Sequence, residues 1–143
     1  MAFVLPDPGT AFGGRVDRRL HGEMTAWITS VDAAGTPQPA PVWFVWDDET
    51  GTALLYSEPT AKRLPRMRAN PRTSLHLNDN EGADVVVLTG TLAEAPDAPP
   101  PDRNQPYLDK YGAWITRSFG TAKHFATLYS IPLRFHPTHL RGH

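Results

Sequence analysis

The sequence predicts a mainly β protein, a small antiparallel barrel decorated with short helices. Three observations predict it. Short runs rich in Thr, Val, Ile, Leu and Trp recur along the chain, separated by turn-forming residues. Val42-Trp43-Phe44-Val45-Trp46 is apolar on both of its alternating faces, more than one side of a simple sandwich needs. Gly90 interrupts a long β run, as the bend of a closing barrel requires. At 143 residues the chain can bury its own core, and residues 1–143 read as one domain.

Residues 1–9, with two prolines, are an irregular lead-in. Phe12, Val16 and Leu20 recur every four residues among charged neighbours, which predicts a short amphipathic helix that ends near Gly22 and covers one end of the sheet. Met24 to Val31 is a strand and Asp32 to Gly35 a turn. Pro37, Pro39 and Pro41 lead the next strand; without N–H groups they suit an edge or a strand start. This strand runs on through Trp46, with Val42, Phe44 and Trp46 on one face and Trp43 and Val45 on the other. Both faces require cover, which a ligand or a second subunit would supply.

Asp47 to Gly51 is a hairpin loop leading to the strand Thr52 to Ser57. Pro59 and Thr60 then open a helix, with Thr60 as its cap, and Asn70-Pro71 stops it. Thr73 to Leu77 is a strand, Asn78 to Gly82 a polar turn, and Ala83 to Ala95 a long strand broken at Gly90. Five prolines between Pro96 and Pro106 mark an external loop. Tyr107 to Tyr111 and Thr121 to Tyr129 read as helices, and Ile131 to Leu140 as the last strand.

The formal net charge is −1, from 14 Lys+Arg and 15 Asp+Glu, but the charges are unevenly placed. Between Pro59 and Asn78 stand five cations, Lys62, Arg63, Arg66, Arg68 and Arg72, and no acid. That leaves nine cations against 15 acids, or −6, in the other 123 residues. A lone basic segment in an acidic protein points to a local anion site and excludes a nucleic-acid face. No apolar run approaches the ~18 residues of a membrane span, so no membrane partner is expected. The run Ala2 to Leu5 is too short for a signal peptide, and with no cysteine the expected location is cytoplasmic.

The nucleophile elbow G-x-S-x-G, the P-loop, G-x-G-x-x-G and H-E-x-x-H are all missing. His136, His139 and His143 stand near one another, but a proline interrupts their strand and His143 is the last residue, so no metal is assigned. His76, between Leu75 and Leu77, reads as structural. What remains is an aromatic barrel strand and a basic turn directly after Tyr56-Ser57. That combination suits a flat, anionic cofactor: a ring against Val42-Trp43, with a phosphate at Lys62 and Arg63. At least two of Trp27, Trp43 and Trp46 are expected to serve as core.

In order and spacing, Trp27-Ile28-Thr29-Ser30-Val31, Gly35-Thr36-Pro37, Pro41-Val42-Trp43-Phe44-Val45-Trp46-Asp47, Tyr56-Ser57, Lys62-Arg63, Asn70-Pro71-Arg72-Thr73-Ser74-Leu75 and Gly90-Thr91 resemble the pyridoxamine 5'-phosphate oxidase-like split β-barrel superfamily. Within it the sequence is most similar to small actinobacterial proteins that use coenzyme F420, a deazaflavin. The resemblance runs from about Thr25 to Leu140.

It implies a homodimer with flavin-like cofactors at the subunit interface. Pro41, Val42 and Trp43 then correspond to the strand whose backbone meets the ring, and Tyr56 and Ser57 to the strand end beside the ribityl chain and phosphate. Lys62 and Arg63 match the cation pair that holds the phosphate, with Arg66 and Arg68 left for an acidic tail. The hydroxyl residue that usually precedes the pair is Ala61 here, so either Thr60 takes its part or the contact is lost. Pro65 places the helix start near Leu64, because proline is tolerated only in a first turn. The Arg-Leu-x-Pro ending of the true pyridoxamine phosphate oxidases is absent, which argues against vitamin B6 oxidation.

The activity implied is F420-dependent hydride transfer to a small electron-poor substrate. FMN in the same pocket, serving an oxidase or flavin reductase, is the enzymatic alternative, and cofactor binding without turnover the non-enzymatic one. Tyr56, His76 and Tyr111 are the possible proton donors, with none assigned.

Overall fold

The computed structural model describes residues 2–143, and among them seven strands form one antiparallel sheet. In chain order the elements are α1 (Ala11–Gly22), β1 (Ala26–Val31), β2 (Pro37–Val42), β3 (Val45–Asp47), β4 (Thr52–Ser57), α2 (Arg63–Ala69), β5 (Arg72–His76), β6 (Val86–Glu94), α3 (Gln105–Phe119), α4 (Ala122–Leu128) and β7 (Ile131–Gly142), with a 3-10 turn at Pro101–Arg103.

The sheet order is β2-β1-β5-β6-β7-β4-β3. Strands β2 and β3 therefore hold opposite edges, although only Trp43 and Phe44 separate them in the chain. Two residues span less than about 11 Å even when extended. The sheet must curl until its edges nearly meet, giving a barrel split at Trp43-Phe44. The apolar run 42–46 is thus two strand ends joined by a crossover, where the sequence predicted one continuous strand. Alternation survives the break: Val42, Phe44 and Trp46 are buried in the barrel, while Trp43 and Val45 face outward.

The outward face is covered, and the chain covers it itself. Asn104 caps α3 by accepting from the Tyr107 amide, and Gly120, at φ +86°, ends it in a backbone conformation that favours glycine. Helix α3 runs well past the predicted Tyr111. Its stripe Tyr107, Tyr111, Ile115 and Phe119 packs with Phe125 of α4 against Trp43, Val45, Leu54 and Tyr56. This helical cover lies on the face for which the sequence predicted a ligand or a second subunit. It also explains why every residue of β4 is buried: Ala53 and Leu55 enter the barrel, Leu54 and Tyr56 the outer cluster.

The prolines behave as predicted. Pro37, Pro39 and Pro41 lie on the exposed face of edge strand β2. Gly90 lies where β6 and β7 shift register, leaving Thr138 as the extra residue of a bulge. A Cβ at Gly90 would run into the His136 carbonyl, so the two backbones need glycine there.

In the basic segment the start near Leu64 that Pro65 implied holds, and the Thr60 cap does not. Helix α2 begins at Arg63 with Lys62 as its cap residue and no side-chain cap bond. Thr60 lies in the preceding turn and caps nothing. Pro65 becomes the third helical residue, inside the first turn where its missing N–H has no partner to lose.

Candidate functional site

The outer aromatic cluster is incomplete. Between the ends of β2 and β4 and helices α3 and α4 lies a cavity of about 440 Å³. Its strand side is formed by Pro41, Val42, Trp43 and Tyr56, and its helix side by Tyr107, Phe119, Phe125 and Tyr129. Thr25, Glu58, Ala61 and Arg63 complete the lining. A second cavity of about 280 Å³ adjoins it, bounded by Ser30 of β1, Gln38 of β2 and the cations Lys62, Arg63 and Arg66. Ala61 and Arg63 line both. An aromatic chamber and a cationic chamber thus share one wall.

The aromatic walls are ordered by their neighbours. The Trp43 ring stacks on Tyr111 at 4.6 Å and 5° and on Phe125 at 5.8 Å and 15°. Tyr56 meets Tyr107 edge-on at 4.9 Å. The Tyr56 hydroxyl donates to the Pro99 carbonyl at 2.6 Å and accepts from Asn104 Nδ2 at 2.9 Å. Burial raises its pKa, which the Asn104 bond partly offsets.

The cations divide by position. Arg63 is half-buried and donates to Ser57 Oγ at 3.4 Å. Burial lowers its pKa and nearby Glu58 and Tyr129 oppose that, but a guanidinium stays charged throughout. Lys62 is exposed on the second cavity with Arg66. Arg68 is exposed, pairs with Glu94, 3.0 Å from its Nε, and lines neither cavity.

Of the predicted site residues, Pro41, Val42, Trp43, Tyr56, Ala61 and Arg63 come together on the first cavity, and Lys62 joins Ala61 and Arg63 on the second. Ser57 is fully buried; it donates to the Glu58 carbonyl at 3.0 Å and supports Arg63 instead of lining a cavity. Thr60 is exposed and lines neither cavity.

Two of the candidate proton donors, His76 and Tyr111, line neither cavity. His76 stacks on Trp27 at 6.4 Å, away from both cavities, and burial lowers its pKa. Tyr111 is buried with its hydroxyl committed to backbone groups. Thr25, Glu58, Tyr107, Phe119, Phe125 and Tyr129 line the cavity without having been predicted as site residues. The four-residue spacing of Tyr107, Tyr111, Ile115 and Phe119 was the signal that could have found the α3 face.

The predicted core role of two tryptophans holds in part. Trp46 is buried in the barrel, Trp43 is the cavity wall, and Trp27 is half-buried with its indole donating to Asn78 Oδ1 at 2.9 Å. Among the described residues His136, His139 and His143 do not gather as metal ligands; the grouping with such spacing is Asp17, His21 and Asp48. There His21 bridges α1 to the β3–β4 loop, Nδ1 on the Asp17 carbonyl and Nε2 on Asp48 Oδ2, both at 2.7 Å. None of the described helices is long and apolar enough to cross a membrane.

A curled seven-stranded sheet, split at Trp43-Phe44 and carrying an aromatic cleft under two helices, defines a split β-barrel protein. The sequence profile of the pyridoxamine 5'-phosphate oxidase family matches residues 13–135, and the chain belongs to that family. Solved structures of the same fold include an F420 reductase, with TM-score 0.65 and 18% identity over 87% of this chain and 94% of that one. HutZ, the heme storage protein of Vibrio cholerae, superposes with TM-score 0.63 and 14% identity over 93% and 95% of the two chains. An FAD-binding protein of Mesorhizobium loti does so with TM-score 0.59 and 18% identity over 87% of each. At these identities the likeness is one of fold. A sequence search of curated proteins finds no match.

Proposed function

We propose that this protein is an F420-dependent oxidoreductase, acting as a cytoplasmic homodimer on a small electron-poor organic substrate. The observation that carries the reading is the pair of adjoining chambers, aromatic and cationic, that share Ala61 and Arg63 in their linings. A flat ring fits the donor-poor aromatic walls, and an anionic chain leaving it meets Arg63 first, then Lys62 and Arg66. This row holds more positive charge than the single phosphate of FMN uses, which favours a cofactor with a longer acidic tail. The F420 reductase among the structures of this fold supports the same choice.

When bound and reduced, the deazaflavin supplies a hydride. The protein's part is to hold and to shield. Trp43 and Phe125 provide the flat walls, Arg63 and Lys62 anchor the anion, and the α3–α4 cover keeps water from the reacting face. Tyr56 is spoken for by Pro99 and Asn104, so its hydroxyl orients a ring and delivers no proton.

FMN in the same cavities is the second reading, favoured by the Mesorhizobium loti FAD-binding protein of the same fold. Fluorescence titration with F420 and FMN side by side separates them. Saturable F420 binding with weaker FMN binding is the expected result. A protein that purifies yellow with FMN and ignores added F420 would overturn the assignment. Binding of F420 without reduction of any acceptor in a broad panel would leave a carrier in place of an enzyme.

A further inference from the structure

We propose that Lys110 and Tyr111 are positioning residues for the aromatic cavity: from α3 they hold the crossover Trp43-Phe44 in place of a strand partner, and so fix the Trp43 ring as a cavity wall. The inference rests on the reading that this cavity takes a flat aromatic ligand.

Strand pairing cannot hold the crossover. Val42 pairs with Ala26 at one sheet edge and Val45 with Leu54 at the other, and neither ladder reaches Trp43 or Phe44. Phe44 is fully buried, so its backbone groups need partners other than water. Both partners come from α3. The Phe44 amide donates to the Tyr111 hydroxyl oxygen at 2.9 Å, and its carbonyl accepts from Lys110 Nζ at 2.8 Å. The Tyr111 hydroxyl hydrogen has the Phe44 and Met24 carbonyls within reach, at 3.0 and 2.8 Å.

The two side chains also grip the rings on either side of that peptide. The Lys110 ammonium stands 4.1 Å from the Phe44 ring centre, and the Tyr111 ring lies flat on Trp43. Position along α3 therefore dictates where Trp43 stands. Neither Lys110 nor Tyr111 lines the cavity, so they act on a ligand only through Trp43.

Three variants test this: Lys110→Met, which keeps the aliphatic stem, Lys110→Arg, which keeps the charged donor, and Tyr111→Phe, which keeps the stacked ring. Near-ultraviolet circular dichroism, calibrated with Trp43→Phe, reads the Trp43–Tyr111 stack. F420 and FMN titrations well below the melting temperature read the cavity. We expect Lys110→Met and Tyr111→Phe to weaken binding about tenfold, the scale of one lost charged or buried hydrogen bond. The stacking band should fall in Lys110→Met, and Lys110→Arg should restore both readings.

A lowered melting temperature with unchanged affinity and an unchanged band would overturn the proposal, because the residues would then be structural only. If neither ligand binds the unaltered protein, the cofactor reading fails by itself, and the band decides: its loss in Lys110→Met supports the clamp and its retention refutes it.

Discussion

The molecule has two apolar cores, one on each side of the same strands. Inside the barrel, Val16, Leu20, Leu55, Leu75, Leu88, Leu133 and Phe135 are fully buried, and the filling is aliphatic with few aromatic rings. Outside, Tyr56, Tyr107, Tyr111 and Phe125 lead a cluster of rings in which hydroxyls bond backbone and an open chamber remains. Aliphatic side chains interdigitate to crystal-like density. Flat rigid rings stack in a few preferred orientations, and in this cluster they border a chamber that stays open. The fold thus assigns stability to one face of the sheet and recognition to the other, and β4, buried on both sides, is the wall between them.

Substitutions can separate the two faces. The largest stability effect belongs to the barrel: Phe135→Ala should cost about 3–5 kcal/mol in urea unfolding, with cofactor affinity unchanged where the variant is still folded. A loss of binding equal to that of a cavity variant would show that the two cores are not independent.

The cationic chamber should show the reverse behaviour. Lys62→Ala combined with Arg63→Ala should weaken F420 binding by about 2–4 kcal/mol, from lost charged hydrogen bonds, and barely move the melting temperature. Unchanged affinity in a titration of that pair would remove the assigned anion site.

Tyr56 lies on the boundary. Tyr56→Phe takes the hydroxyl partner from the Pro99 carbonyl and from Asn104 Nδ2 and should cost about 1–2 kcal/mol of stability. The pH profile of turnover should stay as it is. A turnover step that vanishes with the hydroxyl would make Tyr56 the proton donor after all.

The smallest effect lies at the His21 bridge, remote from both cores. Burial works against the His21 imidazolium, but the Asp17 carbonyl bond and the bond and charge of Asp48 outweigh it, so its pKa is raised above 6.5. A raised folded-state pKa means the bridge stabilises fully below about pH 6.5 and loses its contribution as pH climbs through the folded value. Both side chains are well exposed, which limits the effect to less than about 1 kcal/mol after solvent screening. Melting temperatures measured from pH 5.5 to 8.5 should fall more steeply for the unaltered protein than for Asp48→Asn; parallel curves would leave the bridge without a role.

Local signals carried most of the fold. Alternation marked the strands, proline and glycine marked edge and bulge, and Gly90 was read for the reason it is there. The crossover at Trp43-Phe44 was hidden, because alternation is the same in one strand as in two strand ends that keep phase. Only the long-range pairings to Ala26 and Leu54 reveal the break. The strand half of the site was legible through Pro41-Val42-Trp43, Tyr56 and the basic pair. The helix half was not: the four-residue spacing of Tyr107, Tyr111, Ile115 and Phe119 was there to be read, but glycine, threonine and serine at Gly112, Thr116 and Ser118 broke the run beyond Tyr111. Thr60 has the chemistry of a cap, yet the turn over Pro59 to Lys62 delays the helix to Arg63 and leaves Thr60 outside it.

The central claim is that one ligand spans both chambers, its ring in the aromatic one and its anion in the cationic one. The most direct test compares the affinity of F420 with that of its ribityl-deazaflavin core lacking the phosphate and acidic tail. The account predicts that F420 binds at least about 100-fold more tightly, the equivalent of about 2.7 kcal/mol from charged contacts, and that the advantage shrinks in Lys62→Ala with Arg63→Ala. Equal affinity for the two compounds in the unaltered protein would contradict it.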